Sequence, residues 1–368
     1  MIGLLIGLCG IYFVIMIIMI ISWYSIPLSK HSTGHLRSVS VIIPMRNEEH
    51  NITDLLYDLV SQNYPEEKLQ VILVDDHSSD RSVAIAQSAL KKYQSTFAVI
   101  GLEEGEYGKK AALTEGISMA NGEVILTTDA DCRVNSTWIQ TMVSAFDSST
   151  KMAFGPVQLI ATSFFGKLQM IDFSALIGVG AASWRLGTPG MCNGANLAFT
   201  KEVFKECNGY QGTEQYPSGD DEFLMRKIKN LYPNSIKFVK DTSAVVSTKP
   251  MHMIRSFIQQ RIRWAGKWKL HQDMKTGFTA VFIFLFYIIL LTVTIVEFVN
   301  TRNMVLISTL WIIKWLLDAI LVASVLRLSR IQLPVFHSIM LSFIYPFYAI
   351  VIGLSTISYN FEWKGRKY

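Results

Sequence analysis

Hydrophobic positions are concentrated at the two ends of the chain, and the region between them alternates short apolar runs with polar turns. The stretch Met1–Tyr24 has no charged side chain, and three further long apolar stretches are Phe278–Val299, Met304–Leu326 and Val335–Ile357. A run of about 20 apolar residues is long enough to cross a hydrocarbon layer of ~30 Å as a helix. The pattern predicts one N-terminal membrane span and about three C-terminal ones.

The charges that flank the apolar stretches predict which side of the membrane the middle region occupies. No basic segment precedes the first apolar run and no small-residue cleavage pattern follows it, so we expect an uncleaved anchor rather than a signal peptide. Positive charges beside spans favour the cytoplasm. The flank after the first span carries Lys30, His31, His35 and Arg37. We therefore expect an integral protein of the cell membrane whose middle region faces the cytoplasm.

The same rule conflicts with the C-terminal tail, residues 358–368, which follows the third C-terminal stretch. Either this basic tail is external or one of the stretches is re-entrant, and Pro346 makes an irregular helix an open alternative. Within the preceding stretch Lys314 and Asp318 lie four residues apart, on one helix face. We expect them to form an internal neutralising pair, with a functional ion site as the alternative.

The middle region, residues 25–250, contains three apolar β-branched runs that each end in polar residues. They are Val39–Pro44, Gln70–Val74 and Glu123–Thr128, with helix-like stretches between them. Strands without polar alternation, separated by helices, predict an α/β domain with a parallel sheet covered on both faces. Ligands of such sheets bind beyond the carboxyl ends of the strands. A basic amphipathic segment, residues 251–277, is expected to lie at the membrane surface before the C-terminal spans, residues 278–357.

Charge and cysteine content exclude some functions. The net charge of +5 is explained by residues that flank the spans, and no basic and aromatic array indicates nucleic-acid binding, so we expect no nucleic-acid partner. The four cysteines are scattered without metal-ligand spacing, and a cytoplasmic domain would keep its thiols reduced.

Five short motifs occur in a fixed order between Val39 and Trp268. They are Pro44-Met45-Arg46-Asn47-Glu48-Glu49, Val74-Asp75-Asp76-His77-Ser78-Ser79-Asp80, Asp129-Ala130-Asp131, Gly219-Asp220-Asp221-Glu222 and Gln260-Arg261-Ile262-Arg263-Trp264. Together they resemble the family 2 glycosyltransferases, in the membrane branch with cellulose, hyaluronan and ceramide-glucoside synthases. The resemblance implies a GT-A-like (Rossmann-like) glycosyltransferase domain beside a helical transmembrane region, with a nucleotide-diphosphate sugar, most simply a UDP-sugar, as donor.

The first two motifs are assigned by this resemblance to the donor nucleoside. Asp75 and Asp76 end a strand, where a carboxylate can accept the imide N–H of uracil, and the resemblance favours Asp76 for that role. The loop contacts expected beside them are Pro44, Arg46, Asn47 and Glu48. A solvated turn that caps a helix is the alternative for both motifs, and a capping role is favoured for Asp80.

The diphosphate is expected at the next motif and at a lysine that precedes a helix. Carboxylates after a strand can hold Mg²⁺ or Mn²⁺ against phosphate oxygens. The resemblance makes Asp131 the metal ligand and Asp129 a ribose or metal-shell contact. Lys109, favoured over Lys110, would bind the diphosphate near a helix N-terminus, an exposed lysine pair being the alternative.

The last motifs are assigned to the acceptor and to the departing diphosphate. An acceptor hydroxyl needs a base, and the resemblance points to Asp221, with Asp220 beside it on the acceptor side. An acidic helix N-terminus is the plain alternative for that cluster. The loop Cys192–Asn196 is similar to the family's acceptor-side loop, which assigns Asn193, Gly194 and Asn196. Arg263 would contact the diphosphate with Gln260 on the same helix face, and Trp264 would help to form the acceptor pocket.

These features predict a membrane-bound inverting glycosyltransferase with a lipid acceptor. A processive polysaccharide synthase is the alternative, and the short chain with few spans favours the lipid. Synthesis of a polyprenyl-phosphate sugar is disfavoured because a phosphate nucleophile needs no base. A nucleotide-binding transporter or scaffold without catalysis is the non-enzyme alternative, and it would not need the set of carboxylates.

Overall fold

The computed structural model describes residues 1–29, 36–91, 96–214, 216, 218–266, 274–355, 362–363 and 366–367. For residues 274–276, 362–363 and 366–367 it describes the backbone alone. The charges at Lys30, His31, His35 and Lys364, on which part of the topology prediction rests, lie outside these ranges. The chain forms two compact units, described separately below. The helical unit comprises residues 1–24, 161–178 and 250–368, and the sheet unit comprises residues 25–160 and 179–249.

Helices and strands alternate along the sheet unit and helices dominate the helical unit. The α-helices are α1 Ile2–Ser25, α2 Ile52–Val60, α3 Ser82–Leu90, α4 Lys109–Met119, α5 Trp138–Val143, α6 Phe164–Arg185, α7 Lys201–Glu206, α8 Asp220–Leu231, α9 Ile254–Ala265, α10 Met274–Asn300, α11 Met304–Leu328 and α12 Val335–Ser355. The strands are β1 Val39–Met45, β2 Leu69–Asp75, β3 Phe97–Gly101, β4 Val124–Thr127, β5 Met152–Phe154, β6 Val157–Leu159, β7 Leu197–Thr200, β8 Ile236–Phe238, β9 Val246–Thr248, β10 Glu362–Trp363 and β11 Arg366–Lys367.

The sheet unit is built on a seven-stranded sheet with the order β3-β2-β1-β4-β7-β5-β8. Strands β3, β2, β1 and β4 are parallel, and β7 runs antiparallel between β4 and β5. The β-branched residues of β1 and β2 are buried, as continuous apolar strands covered on both faces should be. The three strands predicted from the sequence are therefore neighbours. Their carboxyl ends share one edge, with Met45 opposite Asp75.

Five helices in the described residues are long and apolar enough to cross a membrane. Four of them, α1, α10, α11 and α12, lie at the predicted positions. The fifth, α6, was not anticipated, because the mean hydropathy of its best window is 1.2 whereas that of α1 is 3.0. A Cβ atom on Gly178 of α6 would lie 3.1 Å from Leu321 Cγ of α11, so these two helices pack with close backbones. Residues 161–178 therefore belong to the helical unit, whereas the sequence grouped them with the middle region.

The charged pair of α11 forms inside the helical unit. Lys314 is buried, and its Nζ lies 2.8 Å from Asp318 Oδ2. The hydroxyl of Tyr12 in α1 donates to Asp318 Oδ1 at 2.7 Å, which joins α1 to α11. The expected neutralising pair is present, and the tyrosine adds a second partner for the carboxylate. Pro346 lies within α12 without interrupting it.

Candidate active site

Two loops at the carboxyl ends of β1 and β2 are joined by hydrogen bonds of Asn47. Its backbone has a φ of 52°, in the left-handed region that asparagine tolerates better than most residues. Its amide N–H donates to Ser78 Oγ at 2.9 Å, and its Oδ1 accepts the Ser79 N–H at 2.8 Å. Asp80 accepts the N–H of Ser82, the first residue of α3, at 2.9 Å, although the N-cap position itself is Arg81. Asn47 thus holds both donor-side loops in one arrangement.

The neighbouring carboxylates Asp75 and Asp76 have different surroundings. Asp76 is 3% exposed, with Arg46 Nη1 3.7 Å from its Oδ1, and the same Arg46 nitrogen donates to the Asp76 carbonyl at 2.9 Å. Asp75 Oδ2 accepts the Ser78 N–H at 3.1 Å. Its buried Oδ1 has no hydrogen-bond partner among the described residues. Buried carboxylate oxygens are normally bonded, so Asp75 has spare capacity for a ligand donor at this edge.

Pro44 and Glu48, the other two residues assigned to the donor side, support the loop after β1. Pro44 lies within β1, opposite Val74 of β2. Glu48 is nearly buried, its N–H donates to Ser82 Oγ at 2.7 Å, and its carboxylate accepts from Asn51 Nδ2 at 2.8 Å. These bonds match the helix-start alternative, since they lie immediately before α2.

Lys109 is the point at which three segments of the sheet unit meet. It is the first residue of α4, preceded by Gly108 with a φ of 95°, a conformation that favours glycine. Its Nζ lies 2.6 Å from Asp129 Oδ1 and 3.4 Å from Asp220 Oδ2. Burial alone would lower the pKa of Lys109, but Asp129, Asp220 and Asp221 outweigh burial and raise the pKa above its ordinary value. The ammonium group therefore remains charged and joins the carboxylates of β4 and α8.

Lys110 points elsewhere. Its Nζ donates to the Thr213 carbonyl at 2.5 Å and to the Tyr216 carbonyl at 3.0 Å, and it lies 5.0 Å from the centre of the Phe223 ring. These contacts give Lys110 a structural role in the segment before α8. Of the two lysines, Lys109, which the resemblance favours for the diphosphate, is the one that faces the acidic residues.

The segment after β4 carries the predicted metal ligand. Asp131 is half-buried, its carbonyl accepts from Thr248 Oγ1 at 3.4 Å, and its Oδ1 lies 3.7 Å from Cys132 Sγ. Burial, together with Asp131 and Asp129, raises the pKa of the Cys132 thiol well above its ordinary value. Cys132 is therefore a protonated thiol, and the negative charge of this segment resides on the two aspartates.

Asp221 and Gly194 bring α8 to the loop that precedes β7. Asp221 Oδ2 accepts the Gly194 N–H at 3.0 Å, and Oδ1 accepts the N–H of Glu222 at 2.7 Å. A Cβ atom on Gly194 would lie 2.7 Å from Asp220 Oδ2 and 3.2 Å from Lys109 Nζ, so any larger residue would displace the Asp220 carboxylate. The loop assigned to the acceptor side therefore adjoins the carboxylate assigned as base.

The two asparagines of this loop have structural bonds. Asn193 Oδ1 accepts the Ala195 N–H at 2.9 Å at the start of a single 3-10 turn. Asn196 is fully buried, and its amide donates to the carbonyls of Pro156 and Ala244 at 2.8 and 2.7 Å and accepts from Trp138 Nε1 at 3.0 Å. Asn196 therefore anchors the loop from beneath. At the start of the loop Cys192 is partly exposed, whereas Cys9, Cys132 and Cys207 are buried.

Gln260, Arg263 and Trp264 lie in α9, which belongs to the helical unit. All three are partly exposed, and the Trp264 ring centre is 5.8 Å from that of Phe173 in α6. Their predicted contacts with donor and acceptor stay predictions. Sequence reasoning missed Arg261, the residue inside the same motif that is buried against Asp172.

Residues 40–207 match the family described as Glycosyl transferase family 2. This segment of the chain is therefore similar to the family 2 glycosyltransferases. The matched segment holds the loops after β1, β2 and β4, with Lys109 and Gly194. The GDD motif of α8 and the QxxRW motif of α9 lie outside it.

Two relatives and one solved structure are also similar to this chain. The chain is 27% identical over 242 aligned residues to a poly-beta-1,6-N-acetyl-D-glucosamine synthase from Staphylococcus epidermidis. The alignment covers 65% of this chain and 56% of that protein. The chain is 28% identical over 184 residues to a beta-monoglucosyldiacylglycerol synthase from Trichormus variabilis, 49% of this chain and 39% of that protein. The aligned parts thus span about half the length of these relatives or less.

The solved structure is the mannosyltransferase PcManGT from Pyrobaculum calidifontis in complex with GDP-Man and Mn²⁺. The TM-score is 0.58 at 16% identity, and the match covers 97% of this chain and 94% of that one. At this identity the likeness concerns the fold. The predicted GT-A-like α/β fold is confirmed.

Proposed function

We propose that this chain is a membrane-bound glycosyltransferase that moves a sugar from a UDP-sugar onto a lipid acceptor at the cytoplasmic face of the membrane. The observation that carries the proposal is the cluster around Gly194, where Lys109, Asp129, Asp220 and Asp221 meet at the carboxyl edge of the sheet. A base beside a partly buried ammonium suits a reaction that removes a proton from one oxygen and leaves negative charge on another.

On the donor side, the unbonded Oδ1 of Asp75 supports recognition of a base by an N–H donor. Asp76, held by Arg46, would then fix the loop, which reverses the order of roles that the resemblance implies. Asn47, Pro44 and the other loop residues place these carboxylates.

A divalent cation, Mg²⁺ or Mn²⁺, fits the residues present. The described residues contain no group of three or more histidine, cysteine, aspartate or glutamate side chains arranged to hold a metal. Magnesium is commonly held by one or two carboxylates together with substrate phosphates, so Asp131 with the free side of Asp129 provides a suitable oxygen set. When bound, the cation would neutralise the charge that develops on the departing diphosphate.

The residues of the chain support a single inverting displacement. An acceptor hydroxyl oxygen attacks the anomeric carbon and gives its proton to Asp221, while the bond from that carbon to the diphosphate oxygen breaks with its electron pair. Lys109, charged beside Asp129, would exchange a carboxylate partner for a phosphate oxygen. The absence of a side chain at Gly194 lets the loop lie close to Asp220 and Lys109.

Two candidate functions differ in the acceptor that receives the sugar. The five long apolar helices of the described part of the chain and its similarity to a glycolipid synthase support a lipid acceptor near the membrane. A polysaccharide synthase is the second candidate, because the polysaccharide-forming relative aligns over 65% of the chain and the glycolipid-forming relative over 49%.

In the test, membranes that contain the full chain are incubated with a panel of radiolabelled UDP- and GDP-sugars. The product is then partitioned between organic and aqueous phases. A labelled product in the organic phase, from a UDP-sugar and absent with Asp221→Asn, is the expected result. Label in an aqueous polymer instead establishes the second candidate. Donor binding without any transfer would make the chain a nucleotide-binding scaffold and contradict both.

A further inference from the structure

Two aromatic side chains of the sheet unit, His77 and Tyr107, are in contact with each other. Their ring centres are 4.8 Å apart, with an angle of 45° between the ring planes. His77 also donates from Nε2 to the Glu106 carbonyl at 2.9 Å. The backbone of His77 has a φ of 55°, in the left-handed region that few residues other than glycine adopt. The loop after β2 therefore holds the His77 ring against Tyr107 and its neighbour.

Tyr107 lies in the loop that joins β3 to α4. The loop begins with Leu102, whose N–H donates to the Asp75 carbonyl at 3.0 Å. It ends with Gly108, immediately before Lys109 starts α4. Both ends of the loop thus adjoin residues of the candidate site, and Tyr107 lies between them along the chain.

The exposure and surroundings of Tyr107 indicate what could bind to its ring. Tyr107 is 56% exposed although its ring contacts His77. A planar ligand that stacks on such a ring covers apolar surface that water otherwise contacts. Glu103, Glu104 and Glu106 of the same loop are exposed and acidic, so phosphate oxygens are disfavoured beside the ring. The neutral base is the part of a nucleotide that suits this position.

Both loops are attached to Asp75, which offers the polar contact that a base needs. Its buried Oδ1 has no hydrogen-bond partner among the described residues. An N–H at the edge of a base can donate to that oxygen while the face of the same base stacks on an aromatic ring. We propose that Tyr107, supported by His77, is the stacking residue for the base of the donor nucleotide, whose edge donates to Asp75.

This inference rests on the proposed function, and the affinity for nucleotide is measured separately from transfer. Full-length protein in detergent micelles with Mg²⁺ is titrated with UDP by calorimetry, and inorganic diphosphate is measured by displacement of radiolabelled UDP. Tyr107→Ala is expected to weaken UDP binding about tenfold, because the base loses its stacking partner. The affinity for inorganic diphosphate, which has no base, should be unchanged. Tyr107→Phe keeps the ring and should retain UDP affinity within about twofold.

The matched control is Tyr57→Ala, since Tyr57 is 72% exposed on α2 and belongs to neither loop. It should leave UDP affinity unchanged. His77→Asn tests the support of the Tyr107 ring, because asparagine tolerates the left-handed φ but lacks the ring. It is expected to cause a smaller loss of UDP affinity than Tyr107→Ala, and no further loss in a Tyr107→Ala background.

Unchanged UDP affinity in Tyr107→Ala would overturn the inference. So would equal losses of UDP and diphosphate affinity, since the base would then not be the group that meets the ring. Additive effects of the His77 and Tyr107 variants would also contradict it, because His77 would not act through Tyr107.

Failure of the inference and failure of the proposed function give different results. A wild-type chain that binds UDP but transfers no sugar overturns the proposed function alone, and the comparison of UDP with diphosphate still decides the role of Tyr107. A chain that transfers sugar with a UDP affinity independent of Tyr107 overturns the inference alone. A wild-type chain with no affinity for UDP overturns both.

Discussion

The ammonium nitrogen of Lys109 lies 2.6 Å from Asp129 Oδ1, which joins the first turn of α4 to the segment after β4. The same nitrogen is 3.4 Å from Asp220 Oδ2 at the start of α8. One cation thus links three segments that are distant in the chain, and removing it should disturb the site more than the fold.

Replacing Lys109 by glutamine is expected to reduce transfer by about 10²–10³-fold, the loss typical of one charge-stabilising donor. The carboxylates raise the pKa of Lys109, so its charge persists to high pH and the ratio between wild type and variant should be constant from about pH 6 to pH 9. Lys110→Gln is the control, expected to lower the melting temperature because Lys110 bonds the Thr213 and Tyr216 carbonyls. A Lys109→Gln enzyme within threefold of wild type would contradict the assignment.

Replacing Asp221 by asparagine is expected to reduce transfer by about 10²–10⁴-fold, the usual contribution of a general base. UDP affinity should be nearly unchanged, because the amide retains the oxygen that accepts the Gly194 N–H. Asp220→Asn and Glu222→Gln are measured alongside, with transfer rates and calorimetric affinities for all three. Loss of transfer in Asp220→Asn alone would show that the base is Asp220 and not Asp221. If all three variants remain active, this mechanism is wrong.

Replacing Asp131 by alanine is expected to remove metal-dependent turnover while the fold survives, because the residue lies beyond the end of β4. The loss should be at least about a hundredfold, since charge stabilisation of several kcal/mol is involved. Titration of wild type with chelator and then with Mg²⁺ or Mn²⁺ checks the same point independently. Full turnover by wild type in chelator would show that no cation is needed.

A methyl group at position 194 tests the close approach of the loop to α8. Gly194→Ala would place a Cβ atom 2.7 Å from Asp220 Oδ2, which must move, so we expect transfer to fall at least about tenfold with little change in melting temperature. Gly190→Ala, whose Cβ would meet only the Thr188 carbonyl at 3.9 Å, is the matched control and should behave as wild type. Equal activities of both variants would mean that the spacing at Gly194 is unimportant.

The ends of the strands were predictable from the sequence because they depend only on local sequence. A buried β-branched run must end in polar residues, and β1, β2 and β4 are adjacent, so their acidic ends meet at one edge. The sequence also predicted a helix start after Gly108, near Ala111, and α4 begins two residues earlier, at Lys109.

Pairings between distant segments could not be read in this way. No pattern in the sequence connects Lys109 with Asp220, or Asp172 with Arg261, because each contact depends on how separate helices pack. Helix α6 was missed because Lys167, Asp172 and other polar residues lower its hydropathy, and Asp172 is buried against Arg261 inside the helical unit. Asn196 was assigned to the acceptor from its motif, yet its amide is fully bonded in the core.

The unequal exposure of the four cysteines makes the native chain suitable for fluorescent labelling. Three thiols are buried, and that of Cys132 is also kept protonated, so both access and thiolate content protect it from maleimides. Cys192 is partly exposed and lies two residues before Gly194. A single dye attached there would report, without any engineered mutation, on events beside the carboxylates of α8.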